Sequence, residues 1–585
     1  MKKLYAFIIT LFVSQYMLAQ WPANYGGVML QGFYWNSFED TQWTKLTEQA
    51  DELSTYFDAI WVPNSAWCTD GQSMGYDPVY WFRHKSTFGQ QRDLKIMIST
   101  YKEKGVSIIG DVVLNHKKPQ GKKVDHNGTQ EASWIDFVNE TPTIGGVQYQ
   151  VTWSGADICR NDDGGYTAAQ GWEVTGANDT GDDFSGYRDL DHTSTNVQEN
   201  VKLYLRYLLE ELGYDGFRLD MVKGYAGRFT KIYNEAVKPK FCVGEYWDGY
   251  ESIMNWVRAT GYTSAAFDFP LKYQLNEACS GNWSALNSKG IAGDPNNNRY
   301  AVTFVDNHDT NENSSKLVNN QLAANAIILA LPGTPCIFLK HWQSWPIAIG
   351  NMILARKACG VTNQSSIIEQ YEVSGGYVIK TQGSKGTVLC LCGNPSFNTN
   401  GFKLIANGNS FAYYVSSNIT VPGLRPGTDN PYTEELPECV KPIEGHVYCY
   451  FQGNKDYPTP YIWVWGVNDK NFNTNHTWPG DQLKKVGTDS KNHTIYLWDG
   501  GAIGSDMPTG VVFSNNGDPQ TADFTFVNGG YYDASGYLTT VTAIDAVHAN
   551  PVADDRVPVY TLTGQRASDG YRGIVIKNGR KYMNK

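Results

Sequence analysis

The chain lacks any run of about 18 apolar residues beyond its first twenty, so no later segment is long enough to span a bilayer as a helix. It lacks basic excess: 48 Lys and Arg against 59 Asp and Glu leave a net charge of −11, which repels phosphate backbones and anionic lipid. It lacks nicotinamide and phosphate-binding glycine motifs and Mg2+ motifs, and its Gly-Gly pairs read as ordinary turns. Its ten cysteines lack paired metal-ligand spacing. Several of them, such as Cys242 and Cys336, sit in apolar strand-like runs and read as buried thiols. No tandem repeat or low-complexity array is present. Nucleic acid and membrane surfaces are therefore excluded as partners, and a neutral ligand is favoured.

Aromatic residues are abundant, at 14% of the chain with 18 Trp and 37 Tyr, and flat amphipathic rings suit sugar faces. At 585 residues the chain exceeds one hydrophobic core, so several domains are expected. Met1-Lys2-Lys3, an apolar run to about Leu18 and a small residue at Ala19 read as an export signal over 1–19, giving a secreted protein with no lipid-accepting Cys behind the cut.

From Trp21 to about Trp345 short apolar runs alternate with longer amphipathic segments, the pattern of βαβ units. The candidate strands are Val28–Tyr34, Ala59–Pro63, Val106–Leu114, Gly216–Leu219, Phe241–Gly244, Ala265–Phe269, Ala301–Val305 and Pro335–Leu339. Eight such units over 20–355 predict an α/β fold, a (β/α)8 TIM barrel. A stretch rich in Gly, Asp and Asn predicts an irregular insertion after strand 3, at about 117–190. Past about Arg356 short alternating strands predict an all-β domain over 356–430. Residues 442–540 are dense in aromatics and predict a β-sandwich binding module. The tail, 545–585, holds two strand-like pieces. In the third block Tyr461, Trp463 and Trp465 alternate and share one strand face, with Trp478 near by, so an exposed face would be a stacking platform.

Barrel chemistry belongs at the C-terminal ends of strands. Four polar clusters stand there: Asp111–His116, Gly216–Asp220, Gly244–Trp247 and Phe304–Asp309. Together with Met74-Gly-Tyr-Asp-Pro, Asp179–His192, Lys223-Gly-Tyr and Gly333-Thr-Pro-Cys-Ile-Phe, they resemble the ordered motifs of glycoside hydrolase family 13, in its plant-like and archaeal-like α-amylase branch, over roughly 21–345. The third block resembles a family-26 starch-binding module, and the tail resembles type IX sorting tails, which would hold the secreted protein at the cell surface.

The resemblance implies an endo-acting, retaining hydrolase of α-1,4-glucans. Asp220 is then the nucleophile, Glu245 the acid and base, and Asp309 the holder of the sugar 2- and 3-hydroxyls. Arg218, two residues before Asp220 on one strand face, is expected to keep that aspartate ionised. His116 and His308 are expected to donate to the same sugar and Tyr76 to stack on it, with Lys223 and Trp247 on the leaving-group side. Asn115, Asp183, Asp189 and the carbonyl of Gly224 are expected to hold Ca2+. Asp162 and Asp163 offer a second acidic pair. The expected partners are starch, amylose, amylopectin or glycogen and malto-oligosaccharides, met by a monomer. Where the branch carries an aromatic and an acidic residue after strand 8, this chain has Leu339 and Lys340. The competing readings are a maltogenic amylase or glucanotransferase on the same barrel, and a non-catalytic surface glucan-binding protein.

Overall fold

The computed structural model describes residues 21–120, 137–161, 174–184, 186–427, 429, 436–467, 470–489, 493–534 and 536–541, and strand segments at 560–561, 573–577 and 580–584. The expected export signal and the pair Asp162 and Asp163 lie outside the described residues. Two compact units divide the chain, Met1–Tyr432 and Thr433–Lys585. Among the described residues no helix is long and apolar enough to cross a membrane.

In the first unit eight parallel strands close a barrel: β1 (Met29–Gln31), β2 (Ala59–Val62), β3 (Ser107–Val112), β4 (Gly216–Leu219), β5 (Phe241–Gly244), β6 (Ala265–Phe267), β7 (Ala301–Phe304) and β8 (Thr334–Phe338). Each pairs with its sequence neighbours and β1 with β8, giving a (β/α)8 architecture. Strand residues are buried throughout because helices cover the outer face and side chains fill the interior, which is why the runs are uninterrupted rather than alternating.

Several strands are shorter than the apolar runs that announce them, and local chemistry explains where they stop. The run Ala265–Phe269 ends as a strand at Phe267 because Asp268 caps the next helix, Phe269–Cys279, accepting from Leu271 N at 3.1 Å, with proline in the first turn. Leu339 likewise opens the helix Leu339–Ser344 instead of closing β8. Gly244 ends β5 because the indole of Trp256 fills the space where a side chain would stand; a Cβ there would meet it at 2.2 Å.

The insertion after β3 consists of short pieces. His116–Lys117 pairs with Arg188–Asp189, Thr143–Ile144 pairs with Val147–Gln148, and a capping box on Ser154 and Asp157 closes one turn.

Arg356 lies inside the helix Pro346–Cys359, not at a break. Its fully buried guanidinium donates to the carbonyls of Leu329, Leu331 and Gly333 at 2.9, 2.5 and 2.9 Å, so it ends one helix and fixes the turn into β8. Five antiparallel strands follow: β9 (Ser366–Val373), β10 (Gly376–Gln382), β11 (Thr387–Gly393), β12 (Phe402–Gly408) and β13 (Phe411–Ser416), in the order β9-β10-β11-β13-β12. One face, with Ile379, Cys390 and Tyr413, joins the barrel's hydrophobic core; the other, with Val378, Leu389 and Leu391, has its own small cluster.

The second unit holds a five-stranded and a four-stranded sheet. Its core takes Cys449 and Phe451 from His446–Gln452 in the first, and Ile462, Val464, Val511 and Phe513 from Pro460–Trp465 and Gly510–Asn515 in the second. Phe451 and Phe513 stack at 4.3 Å across the two sheets, which makes the block a sandwich. The tail adds a third strand, Arg580–Asn584, to the two anticipated. All ten cysteines are free thiols, nine of them buried.

Replacing Arg356 by Met strips three buried carbonyls of a charged donor. Thermal unfolding should show a loss on the order of 3 kcal/mol, and an unchanged midpoint would contradict the capping role.

Candidate active site

Register builds the site. Arg218 on β4 stands level with Asp111 on β3, and two residues on, where the strand gives out, comes Asp220. Glu245 follows β5 directly, its N–H bonding Leu219 O at 3.0 Å, so Asp220 and Glu245 continue the ladder of neighbouring strands side by side. Arg218 is fully buried and joins them: Nη1 donates to Asp111 Oδ1 at 2.9 Å and to Asp220 Oδ1 at 2.7 Å, while Nη2 lies 2.8 Å from Glu245 Oε1 as an ion pair. Met221, next in the chain, takes a left-handed conformation at φ 41°. Its N–H bonds Glu245 Oε2 at 3.2 Å. Asp309, from the loop after β7, has 32% of its side chain exposed, and its Oδ2 is 3.3 Å from His308 Nε2.

Aromatic rings form the adjoining wall. Trp35, Tyr76 and His308 are nearly coplanar in orientation, with Trp35 tilted 3° and 12° from the other two and centroids 5.9 and 5.8 Å apart. Gln31 Nε2 contacts His308 Nδ1 at 2.9 Å, which leaves Nε2 to carry the imidazole proton towards the Tyr76 hydroxyl. That hydroxyl donates onward to Asp111 Oδ2 at 2.8 Å. Tyr76 is therefore tied to the charged cluster as well as presenting a ring. His116 is buried under Phe184 at 4.2 Å, its Nε2 on Tyr76 O at 2.9 Å and its Nδ1 without a hydrogen-bond partner.

Lys223 reaches Asp248 at 3.1 Å and Asp182 at 3.4 Å. Trp247 stacks on Phe269 at 5.0 Å and donates to the Tyr273 hydroxyl, and the group touching Glu245 is Arg218. Lys340 lies over the Tyr34 ring at 4.8 Å and 3.6 Å from Glu312, joining loops after β1, β7 and β8.

A second cluster lies where the insertion meets the loop after β4. Carboxylate oxygens of Asp179, Asp183 and Asp189 fall within 4.8 Å of one another. Asn115 Nδ2 donates to Asp189 at 2.8 Å, while Asn115 Oδ1 and Asp179 Oδ2 are buried without a hydrogen-bond partner. Gly224 crowds that amide oxygen: a Cβ on it would come within 1.9 Å, so only glycine admits the loop there. Asp182 N bonds Lys223 O at 2.8 Å and Leu190 N bonds Asn115 O at 2.8 Å, stitching insertion to barrel. Burial, then the charges of Asp183 and Asp191, push the Asp179 carboxyl up to about 6. Orphaned buried oxygens amid mutually repelling carboxylates form the hard donor set that a divalent cation such as Ca2+ takes. Asp179 joins the expected ligands; Asp111 and Trp35 are further site residues to which sequence reading gave no role. A buried Asp inside an apolar strand was the available signal for Asp111.

In the second unit Tyr461, Trp463 and Trp465 share a half-exposed face, as their alternation predicted. Trp463, Trp465 and Trp478 line a cleft of about 470 Å³ with Val512, Gln520 and Asp523; Tyr461 lies outside its lining.

One guanidinium serves three neighbouring carboxyls, those of Asp111, Asp220 and Glu245. Burial raises Asp111 and raises Asp220 strongly, and Arg218 pulls both back. The expectation that Arg218 keeps Asp220 ionised is thus opposed by the larger effect of burial. Burial and the charge of Glu245 push Asp309 up to about 7 from its ordinary 3.8. Burial lowers His116 to about 4 and, helped by Arg218, holds His308 well below the usual imidazole range, so both rings are neutral at pH 7. A carboxyl that binds its proton more tightly folded than unfolded costs stability as pH rises from its unfolded value to its folded one. Asp309→Asn should therefore stabilise the protein by about 1–2 kcal/mol above pH 7, allowing for solvent at the exposed third of the side chain. The gain should shrink towards pH 4; equal melting shifts at both pH values would contradict it.

A family model described as alpha amylase, catalytic domain, matches residues 46–340. "Alpha-amylase 3, chloroplastic" of Arabidopsis thaliana is 30% identical over 342 residues, 54% of this chain and 35% of that protein. "Probable alpha-amylase 2" of the same plant is 29% identical over 355 residues, 56% of this chain and 78% of that one. "Glucan 1,4-alpha-maltotetraohydrolase" of Stutzerimonas stutzeri is 28% identical over 444 residues, 68% and 74% of the two chains. The chain thus spans about a third of the first relative and about three-quarters of the other two. The match to the catalytic-domain model covers half the chain and runs from the first barrel helix into the helix after β8, and the chain belongs to the α-amylase family of glycoside hydrolases.

Proposed function

We propose that the protein is a secreted endo-acting α-amylase that cuts internal α-1,4-glucosidic bonds of starch and related glucans with retention at the anomeric carbon. The observation that carries this is the pairing of Asp220 and Glu245 on one guanidinium at the barrel mouth, beside Asp309 and an aromatic wall. Retaining cleavage needs two carboxyls roughly 5–5.5 Å apart, and side-by-side positions at the ends of adjacent strands suit that spacing. Glu245 as carboxylic acid protonates the glycosidic oxygen while the Asp220 carboxylate attacks the anomeric carbon and the leaving chain departs. Glu245, now ionised, takes a proton from water, and the water oxygen displaces Asp220. Asp309 accepts from the sugar 2- and 3-hydroxyls, bonds that strengthen as the ring flattens. Neutral His308 spends both nitrogens on Gln31 and the Tyr76 hydroxyl and so holds Tyr76 in place, contrary to its expected donation to the sugar, while neutral His116 keeps only Nδ1 to accept from a sugar hydroxyl; Trp35 and Tyr76 present ring faces, and Lys223 and Trp247 border the leaving chain.

Asn115, Asp179, Asp183, Asp189 and the Gly224 carbonyl are the residues that would hold Ca2+. The ion would supply the positive charge that ties the insertion to the loop behind Asp220. The tryptophan cleft of the second unit supports a starch-binding module, its indoles stacking on glucan and Gln520 and Asp523 bonding hydroxyls. Residues 1–19 act as the export signal, and the tail directs surface attachment. A maltogenic or transferring activity would use the same carboxyls; Lys340, joining three loops at the mouth, favours an altered product pattern.

Glu245→Gln should lower turnover of amylose about a thousandfold or more while starch binding persists, and β-glucan should be untouched by either form. Full activity in that variant would remove Glu245 from the chemistry, and maltose alone from the first minutes of digestion would replace endo attack by the maltogenic reading. Excess chelator should lower the thermal midpoint, since a cation bound at a hundred times its dissociation constant adds about 2.7 kcal/mol; an unshifted midpoint would dismiss the ion.

A further inference from the structure

Asp309 touches no cation, and what aims it lies beneath the loop. Its N–H and that of Thr310 both bond Asn307 Oδ1, at 3.0 and 2.7 Å. The Thr310 hydroxyl closes the turn from the other side, accepting from Asn307 N at 2.9 Å and donating to Asp306 Oδ1 at 3.1 Å. Asp306 is fully buried, and so is its partner Lys272, on the helix Phe269–Cys279 after β6. Lys272 Nζ spends its three protons on Asp306 Oδ1 at 2.8 Å, Asn276 Oδ1 at 2.8 Å and Ser315 O at 2.7 Å. The second Asp306 oxygen receives Leu317 N and lies 3.7 Å from His341 Nε2, whose ring is held at its other nitrogen by Asn325 at 3.1 Å.

We propose that Lys272 is the positioning residue for Asp309, acting through Asp306 and Thr310. Its ammonium neutralises a fully buried carboxylate, and that carboxylate anchors the one hydroxyl on which the 307–310 turn closes. Lys272, Asn325 and His341 belong to the helices after β6, β7 and β8, so the loop bearing His308 and Asp309 is fastened on three sides. A hydrophobic cluster would hold the loop as firmly, and buried ion pairs are poor stabilisers beside apolar packing. What directional bonds add is aim, and misplacement by an ångström costs rate heavily. The proposal rests on the role given above to Asp309.

The full-length chain, with maltoheptaose as substrate, tests it. Thr310→Val, which keeps shape but loses the hydroxyl, should lower kcat on the order of tenfold to a hundredfold with KM within about twofold of wild type. Thr310→Ser, which keeps the hydroxyl, should retain kcat within about threefold. Lys272→Met should lower kcat at least as far as Thr310→Val. If Lys272→Met does not fold, the double variant Lys272→Met with Asp306→Asn leaves no unpaired buried charge and should fold with kcat still depressed. Wild-type kcat in folded Thr310→Val and in the lysine variant, single or double, would overturn the proposal, as would equal losses in the Val and Ser variants. A wild-type chain inactive on maltoheptaose, amylose and starch would instead bring down the hydrolase reading itself, so the two failures are separable.

Discussion

Arg218 is a buried cation surrounded by more negative charge than it neutralises. Its partners come from three consecutive strands: Asp111 from β3, Asp220 from the end of β4 and Glu245 from the end of β5. A parallel barrel in register brings level positions of adjacent strands to the same height and face, so the guanidinium fork meets Asp111 sideways and Asp220 along its own strand. Remove the cation, and several desolvated carboxyls would face one another with nothing between them, a cost that the fold could meet only by protonating them. The arginine thus sets the geometry and opposes the upward push of burial, and Asp309, which it does not contact, is raised by burial and by the charge of Glu245 to about 7.

Rigid strands fix the centre, and the loops that complete the site need other fasteners. Each of the two loops uses buried polar groups. The one after β4 is held against the insertion by Asn115, the acidic cluster and the glycine that admits the amide oxygen; the one after β7 is held by Lys272 and Asp306. Both fasteners surround residues that must be aimed: Asp220 precedes the first by four residues, and Asp309 follows Asp306 by three.

Much of this was legible in the chain. Eight apolar runs with polar clusters at their C-terminal ends announced the barrel and located Asp220, Glu245 and Asp309, because strand ends are where burial stops and chemistry begins. Strand lengths were less legible, since an apolar run does not distinguish a strand residue from the apolar start of the next helix, as at Phe269 and Leu339. Partnerships across the fold were least legible. Asp111 stood in one of the four polar clusters, but its pairing with Arg218 depends on the register of neighbouring strands, and Asp179 joined Asp183 and Asp189 through folding of an irregular insertion that has no periodicity to read.

The charge of the site also explains what it is able to bind. The carboxyls of Asp111, Asp220, Glu245 and Asp309 crowd near a single guanidinium, and the chain as a whole carries a net charge of −11. An anionic ligand would meet repulsion at long range and desolvation at contact. A neutral polyol meets no such repulsion and a smaller desolvation cost, which its hydroxyl protons offset by bonding to carboxylate oxygens. The aromatic wall then offers apolar ring faces to the C–H side of the same molecule. In the proposed reaction the same crowd of carboxyls faces a transition state that gains positive charge, so the arrangement that repels phosphates would also favour an oxocarbenium-like centre: on that reading selection of ligand and acceleration of reaction share one electrostatic cause.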